Sequence, residues 1–467
     1  MLFTDATIIT MNPGREIIEN GAVVSAGDRI IAIGSAADIE AQYPGEKRID
    51  CNGGILLPGL YDTHVHMAQC MLRGVSEGKQ IGAFQNWLFQ RIFPLQGSYT
   101  HDDARASASL CILEMLKSGT TGFVECLLAE SYGVDGIAEV VVESGIRAAL
   151  GKVVMDVSEE KRDELGWHAG MWQTRDSSIS NTLSAYDKWD GSGDGRVQVW
   201  FGCRSAEPAN NPSLFSEVSE LAAERDMGIT IHLAELPHDT EYANEQGYRS
   251  HVEMAQGLGL LGPRTVLAHC TIADDKDHVI LAETGTSVAH NAGNNSAAAW
   301  GPAPVTDMLR AGVNVALGCD GAPTNANMDI LRDMRIACHI ARMREGSRMA
   351  ISSETVLEMA TINGARALGI EDETGSLEVG KKADFIVIDT DKPHLTPVWN
   401  PVATVVFAAQ GGDVDTVVID GRIIMAGREM QTMDETAILE DVRGRFEAVA
   451  ERAGVEGIGS VWPLRNS

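Results

Sequence analysis

The sequence predicts an α/β protein, a (β/α)8 barrel of TIM type with a small β-sandwich domain built from both chain termini. Three observations predict it. Short apolar runs alternate with helical patterns through the middle of the chain, the pattern of a parallel sheet with helices outside. Those runs read as strands buried on both faces. The two ends are rich in Val and Ile runs broken by tight turns, so one β-domain can be assembled from both.

Residues 1–57 are expected to give the N-terminal part of that β-domain. In "GAVVSAGDRIIAIGS" two β-branched runs flank Gly27-Asp28, a hairpin signature. The barrel is expected over 58–374. There "DDARASASLCILEMLKSG" has a helical period and ends in Gly119, a C-cap signal. The strands are "TGFVEC", "VQVWFG", "GITIHLAE", "RTVLAHC", "TSVAHN" and "VNVALGCD", several ending in His, Asp or Glu. In a barrel of this type, strand C-termini form the face that carries the active site. Residues 375–467 return to strands in "KKADFIVIDTD" and "VDTVVIDGRIIMAGREM", then to a helix from about Asp434 to Ala453 that packs outside. No short-period repeat or low-complexity tract interrupts this order.

Composition narrows the function. Across 467 residues, 44% hydrophobic and 22% charged residues leave ample surface for a core. Lys+Arg 37 against Asp+Glu 66 gives a net charge of −29, which argues against nucleic acid or anionic membrane as partner. No apolar run reaches the roughly 18 residues of a membrane span. The eight cysteines are scattered without a CxxC, and "MLFTDATIITMNPG" lacks the pattern of a secretion leader. Reduced cysteines and a cytoplasmic location are therefore expected.

"LPGLYDTHVHMAQC" raises the chemical question. His64 and His66 are two apart on a strand, so both face one side and could share an ion. In a chain with twelve histidines, such a pair alone is ambiguous. Its company changes that: His232 ends "TIH", His269 ends "VLAH" and Asp320 ends "VALGCD", each after a β-like run. Imidazoles with one carboxylate suit Zn or Fe, and an open position leaves room for water.

The set "PGLYDTHVH", "HLAE", "AHC" and "LGCDG" resembles the amidohydrolase superfamily. It is similar in particular to the metal-dependent aminohydrolase branch. That branch holds adenosylhomocysteine and methylthioadenosine deaminases, 8-oxoguanine deaminase, atrazine chlorohydrolase and melamine deaminase. "MLRG", "WLFQRIFPLQ", "TINGARALGI" and "GSLEVGKKADFIVID" extend the resemblance over most of the chain. The resemblance implies one divalent ion per subunit, Zn or Fe, held by His64, His66, His232 and Asp320. It implies that His269 hydrogen-bonds the attacking water or the tetrahedral centre, that Asp320 takes the water's proton, and that Glu235 shuttles a proton. Glu235 lies three residues after His232, so the chain must turn there for both to face the site. A homo-oligomer is also implied. No lysine suited to bridging two ions stands at the end of a central strand; Lys152 is the nearest candidate.

Substrate-side expectations follow from the same resemblance. Gln69, Trp87, Asn295 and Thr324 are expected to contact substrate, with His290 either in contact or packed behind. The loops 74–96 and 159–195 complete the pocket. Gly321 stands where the chlorotriazine and melamine enzymes have Asn or Asp, and "DGAPTNANMDI" is closer to the deaminase form. The expected activity is hydrolytic deamination of an amino-substituted nitrogen heterocycle of triazine, pyrimidine, purine or pterin type. Displacement of chloride or alkylamine from an s-triazine is the alternative, and an inactive barrel acting as a binding protein the remote one. "GLGLLG" at 257–262 follows a helix and precedes a strand, the reverse of a dinucleotide fold, and His251-Val252-Glu253 lacks the PCxxC of zinc cytidine-type deaminases.

Overall fold

The computed structural model describes residues 1–76, 87–205, 210–456, 458 and 462; part of the 74–96 loop thus lies outside the described residues. Four strands open the chain: β1 (Leu2–Ile9), β2 (Ile17–Ala26), β3 (Arg29–Ser35) and β4 (Arg48–Pro58). Eight barrel strands follow: β5 (Leu60–Val65), β6 (Thr120–Leu128), β7 (Arg147–Val154), β8 (Val197–Ser205), β9 (Ile229–Leu233), β10 (Thr265–His269), β11 (Ser287–His290) and β12 (Asn314–Leu317). β13 (Phe385–Ile388), β14 (Val414–Ile419), β15 (Arg422–Ala426) and β16 (Glu429–Met430) end the series.

β5 to β12 pair in sequence order, each parallel to the next, and a parallel bridge between Val65 and Asp320 brings the first strand to the last. The result is a nearly closed, TIM-like barrel. Every residue of β6 and of β7 is buried, the burial pattern of parallel strands with helices on one face and a filled barrel on the other. Tyr61, Val124, Ala149, Trp200, Val266, Ala289 and Ala316 form an apolar cluster with Ala365 and Leu368. The barrel is thus a packed core with its chemistry at one end. The helices are locally specified. His101–Lys117 starts with a capping box between Thr100 and Asp103, and Asp135–Ser144 ends at Gly145 in the left-handed conformation.

The other strands form a separate sheet in the order β16-β15-β14-β13-β4-β1-β2-β3. β13 pairs antiparallel with β4, so the sheet is built from both termini. Phe3 and Phe385 meet edge to face at 4.8 Å in its core. Asp420 and Gly421 both have positive φ (49° and 67°) in the two-residue turn between β14 and β15, the conformation favoured by Asp-Gly. The sheet is tied to the barrel by a buried ion network. Arg147 of β7 donates to Asp384 Oδ2 and Oδ1 (2.5 and 3.0 Å) and to Asp420, and Arg196 reaches Asp420 Oδ2 at 3.0 Å. The last helix, Glu435–Ala453, packs on His101–Lys117, where Arg445 and Arg452 both engage Asp103.

Candidate metal and catalytic site

The site is assembled where β5 meets β12. The Asp320 amide donates to the His64 carbonyl (2.8 Å) and the Thr63 hydroxyl to the Leu317 carbonyl (2.8 Å). Gly318 permits this approach: a Cβ there would stand 2.3 Å from Asn291 Oδ1 and 3.1 Å from the His64 amide nitrogen. His232 enters from β9. The His66 and His232 rings are nearly parallel with centroids 5.3 Å apart, and His64 stands edge-on to both.

Distances across the cluster are short. His66 Nε2 lies 3.2 Å from Asp320 Oδ1 and 3.3 Å from His232 Nε2, and His64 Nε2 is 3.5 Å from Asp320 Oδ1. One donor atom from each of His64, His66, His232 and Asp320 lies within 4.8 Å of the others. A tetrahedral ion with ligands near 2.0–2.2 Å places neighbouring donors roughly 3.3 Å apart, so this set fits one divalent cation. Both His64 nitrogens are buried without a hydrogen-bond partner, which buried polar atoms rarely tolerate. Burial pushes the His64 imidazole down to about 4 and His232 well below its usual value, favouring the neutral form that ligates metals. Burial alone would raise Asp320, but its contacts with His64 and His66 hold the carboxyl well below the usual range. Lys152 is not in this cluster; it is buried on β7 with its Nζ 3.3 Å from Glu130 Oε2.

The turn after His232 brings Glu235 to the same place. Ala234 takes a positive φ of 49°, breaking the strand alternation. A single oxygen, Asp239 Oδ2, then accepts from the Glu235 and Leu236 amides (2.7 and 3.0 Å). The Ala234 amide donates to His251 Nδ1 at 3.2 Å, which gives the His251 motif a supporting place. Glu235 Oε1 lies 3.8 Å from His269 Nε2, and burial raises the Glu235 carboxyl.

His269 Nε2 also faces Asp320 Oδ2 at 3.6 Å, while its Nδ1 lies 2.9 Å from Asn295 Oδ1. Assigning the Nδ1 proton to that amide leaves Nε2 for the cleft. His269 (φ 76°) and Asp320 (φ 67°) sit in the left-handed region, strained conformations that concentrate at functional sites.

These groups floor a cleft. Gln69, Trp87 and Thr324 line it, as do Phe93, Trp300 and Asn294. Gln69 Nε2 donates to Gln96 Oε1 (3.3 Å), and Gln96 Nε2 donates to Tyr132 Oη (2.8 Å), orienting the Gln69 amide. The Trp87 indole donates to Ser76 Oγ at 2.7 Å. Asn295 is placed differently from the other three: it supports His269 from behind, and its neighbour Asn294 lines the cleft. His290 is buried and lines a separate cavity with Asn295.

Four residues here had no counterpart in the sequence reading. Arg204, at the end of β8, lines the cleft beside Glu235. Glu125 is buried on β6, accepts from the Met67 and Leu127 amides (2.5 and 2.8 Å), and lies 4.0 Å from His66 Nδ1. Asp239 pins the Glu235 turn, and Asn291 approaches His269 Nδ1 at 3.2 Å. Position at or near a strand C-terminus was the available signal for Arg204, Glu125 and Asn291; nothing local marked Asp239.

A barrel whose mouth carries a His and carboxylate cluster that fits one divalent cation has the make-up of a hydrolase of the amidohydrolase type. The Amidohydrolase family model matches residues 55–424, and the chain belongs to that family. A model described as an imidazolonepropionase-like composite domain of bacteria matches residues 21–45. The chain is 35% identical over 448 residues to a 5-methylthioadenosine/S-adenosylhomocysteine deaminase of Moorella thermoacetica, covering 96% of this chain and 99% of that one. It is 33% identical over 453 residues to a 5'-deoxyadenosine deaminase of Methanosarcina acetivorans, covering 97% and 99%. Among solved structures, an adenosine deaminase of Xanthomonas campestris with bound zinc superposes with a TM-score of 0.87 at 27% identity, covering 96% and 98%. An atrazine chlorohydrolase of Arthrobacter aurescens superposes with a TM-score of 0.86 at 23% identity, covering 95% and 99%, a likeness of fold. Hydrolytic deamination of an aminated heterocycle fits this site. Among the described residues, no helix is long and apolar enough to cross a membrane.

Proposed function

We propose that this chain is a metal-dependent hydrolytic deaminase that converts an amino-substituted nitrogen heterocycle to the oxo compound and ammonia. The carrying observation is the convergence of His64, His66, His232 and Asp320 within 4.8 Å, with His269 and Glu235 beside them. The four would hold one divalent ion, zinc in preference to iron, which when bound supplies Lewis acidity that makes water a nucleophile near neutral pH.

The chain's own groups do the rest. Asp320 Oδ2 takes a proton from the attacking water, and His269 Nε2, 3.6 Å from that carboxylate oxygen, accepts a hydrogen bond from the same water and orients it. Glu235, whose carboxyl is raised by burial, gives a proton to the ring nitrogen next to the amino-bearing carbon. The C–O bond forms as the C=N electrons move to nitrogen. The C–N bond to the amino group then breaks as the hydroxyl oxygen closes a C=O bond; the amine takes the proton held by Asp320 and leaves as ammonia, and the hydroxyl proton returns to Glu235. Gln69 and Thr324 are positioned to hold the ring edge, and Trp87 to pack against a face of it.

Gly321 favours this reading over dechlorination. A Cβ there would fall 2.3 Å from Gln69 Oε1, so the space that a larger side chain would need holds the Gln69 amide. All eight cysteines are buried and free, which supports a cytoplasmic enzyme. Assembly as a homo-oligomer belongs to the same proposal and is checked by sizing in solution. The test of function is an ammonia-release screen over aminated triazines, pyrimidines, purines and pterins, with metal content and chloride release read on the same samples. Metal-dependent ammonia release supports the proposal. Ammonia from none of them, or chloride from chlorotriazines in its place, overturns it.

A further inference from the structure

Asp333, in the first turn of the helix Ile330–Glu345, is a fully buried carboxylate that does not line the cleft and has no part in the steps above. Its two oxygens serve two different segments of the barrel mouth. Oδ1 accepts from the Gly293 amide (2.9 Å), at the start of the short helix Ala292–Ala297. Oδ2 accepts from Asn325 Nδ2 (3.0 Å) and from the Cys319 thiol (3.3 Å), in the segment that follows β12. The junction is tight at Gly293, where a Cβ would stand 2.3 Å from Asp333 Oδ1 and 2.2 Å from Asn325 Oδ1.

Each segment governs one of the two groups that handle the attacking water. Asn295, in the helix Ala292–Ala297, places its Oδ1 2.9 Å from His269 Nδ1, and Asn291, just before that helix, reaches the same nitrogen at 3.2 Å. The segment after β12 carries Asp320 beside Cys319 and Thr324 beside Asn325. We infer that Asp333 is a positioning residue. By tying the helix Ala292–Ala297 to residues 319–325, it fixes the 3.6 Å separation of His269 Nε2 and Asp320 Oδ2. This rests on the deaminase reading, in which those two atoms meet one water.

Burial gives the tie its strength. Asp333, Asn325 and Cys319 are all shut off from water, so neither segment can shift without stranding a buried donor or the carboxylate itself. The chemistry gives the tie its consequence. Proton removal by Asp320 and orientation by His269 require both atoms within reach of one oxygen, and a misplacement of about 1 Å costs up to about 100-fold in rate. Asp320 is also held from the β5 side, through its amide bond to the His64 carbonyl. Loss of Asp333 therefore loosens the spacing of Asp320 and His269 without dispersing the four candidate ligands.

The test follows ammonia release by zinc-loaded wild type, Asp333→Ala and Asp333→Asn on the best substrate of the screen. Asp333→Ala should lower kcat by about 10–100-fold with KM within about threefold of wild type and zinc content unchanged. Asp333→Asn keeps an oxygen for the Gly293 amide and should recover part of the loss. Combined with Asn295→Ala, Asp333→Ala should cost far less than the product of the two single losses, because both act through His269. In metal-free protein, hydrogen exchange read by mass spectrometry should quicken in 291–298 and 319–326 and stay at the wild-type rate in β6. Arg147→Ala is the control: it weakens the joint at the N-terminal end of β7, away from the mouth, and should lose stability while keeping kcat. If Asp333→Ala does not fold, Asp333→Asn and Gly293→Ala decide, and an unchanged kcat in both overturns the inference. A kcat within about twofold of wild type in folded Asp333→Ala, multiplicative losses in the double variant, or unchanged exchange in 291–298 also overturns it and leaves the deaminase reading standing. Ammonia from no aminated heterocycle removes both.

Discussion

Asp239 should be worth more to catalysis than its distance from the chemistry suggests. Asp239→Ala removes the oxygen that accepts from both the Glu235 amide at 2.7 Å and the Leu236 amide at 3.0 Å. Glu235 is buried and Leu236 half-buried, so one donor loses its partner away from water and the other only partly regains one. Bonds to a charged acceptor are worth about 1.5–3 kcal/mol each, so a loss of about 2–4 kcal/mol is expected in urea unfolding. The freed turn should displace Glu235 and lower kcat by roughly 10–100-fold, with zinc content intact because no ligand is touched. Asp239→Asn keeps an acceptor oxygen and should recover most of both. Burial alone would raise the Asp239 carboxyl, but the His251 contact and the Leu236 amide hold it below its usual value. Its stabilising contribution is therefore present above the unfolded carboxyl pKa, about 3.9, and is lost as pH falls through the lower folded value. The stability gap to Asp239→Ala should close below about pH 4. An Asp239→Ala protein with unchanged kcat and a stability within about 0.5 kcal/mol of wild type would refute this reasoning.

Three further outcomes follow. Arg147→Ala strands Asp384 in a buried joint between barrel and sheet and leaves Asp420 with Arg196 alone of its two arginines, and should cost about 3–5 kcal/mol in chemical denaturation. Gly321→Asn places a side chain against Gln69 Oε1, and steady-state kinetics should show kcat/KM down roughly 10–100-fold with little change in melting temperature. Glu235→Gln removes the proton donor and should lower kcat by about 10²–10⁴-fold with metal content unchanged. Because burial raises the Glu235 carboxyl, the wild-type rate should fall as pH rises through that pKa, a limb that Glu235→Gln should lack.

The barrel was legible because parallel strands buried on both faces leave dense apolar runs, and β6 and β7 are buried at every position. The terminal sheet was legible through turn chemistry, as at Asp420-Gly421, where both residues take positive φ. The six residues His64, His66, His232, Glu235, His269 and Asp320 stand at strand ends and are brought together in one place. Other parts of the site depend on tertiary contacts that no local pattern encodes. Asp239 matters because a left-handed Ala234 redirects the chain above it. Asn295 sits in the short helix Ala292–Ala297 beside the cleft, but the helix sends its amide to His269 Nδ1 and presents Asn294 instead. Arg204, which the sequence did not single out, gains its place in the cleft from its 3.8 Å approach to Glu235 Oε2.

The most direct test of the central claim is a zinc titration of metal-stripped protein, following ammonia release from the best substrate found in the screen. Activity should rise from background in proportion to added zinc and level off at one equivalent per subunit. Full activity in protein shown to hold no metal, or zinc binding that restores no ammonia release, would contradict the account.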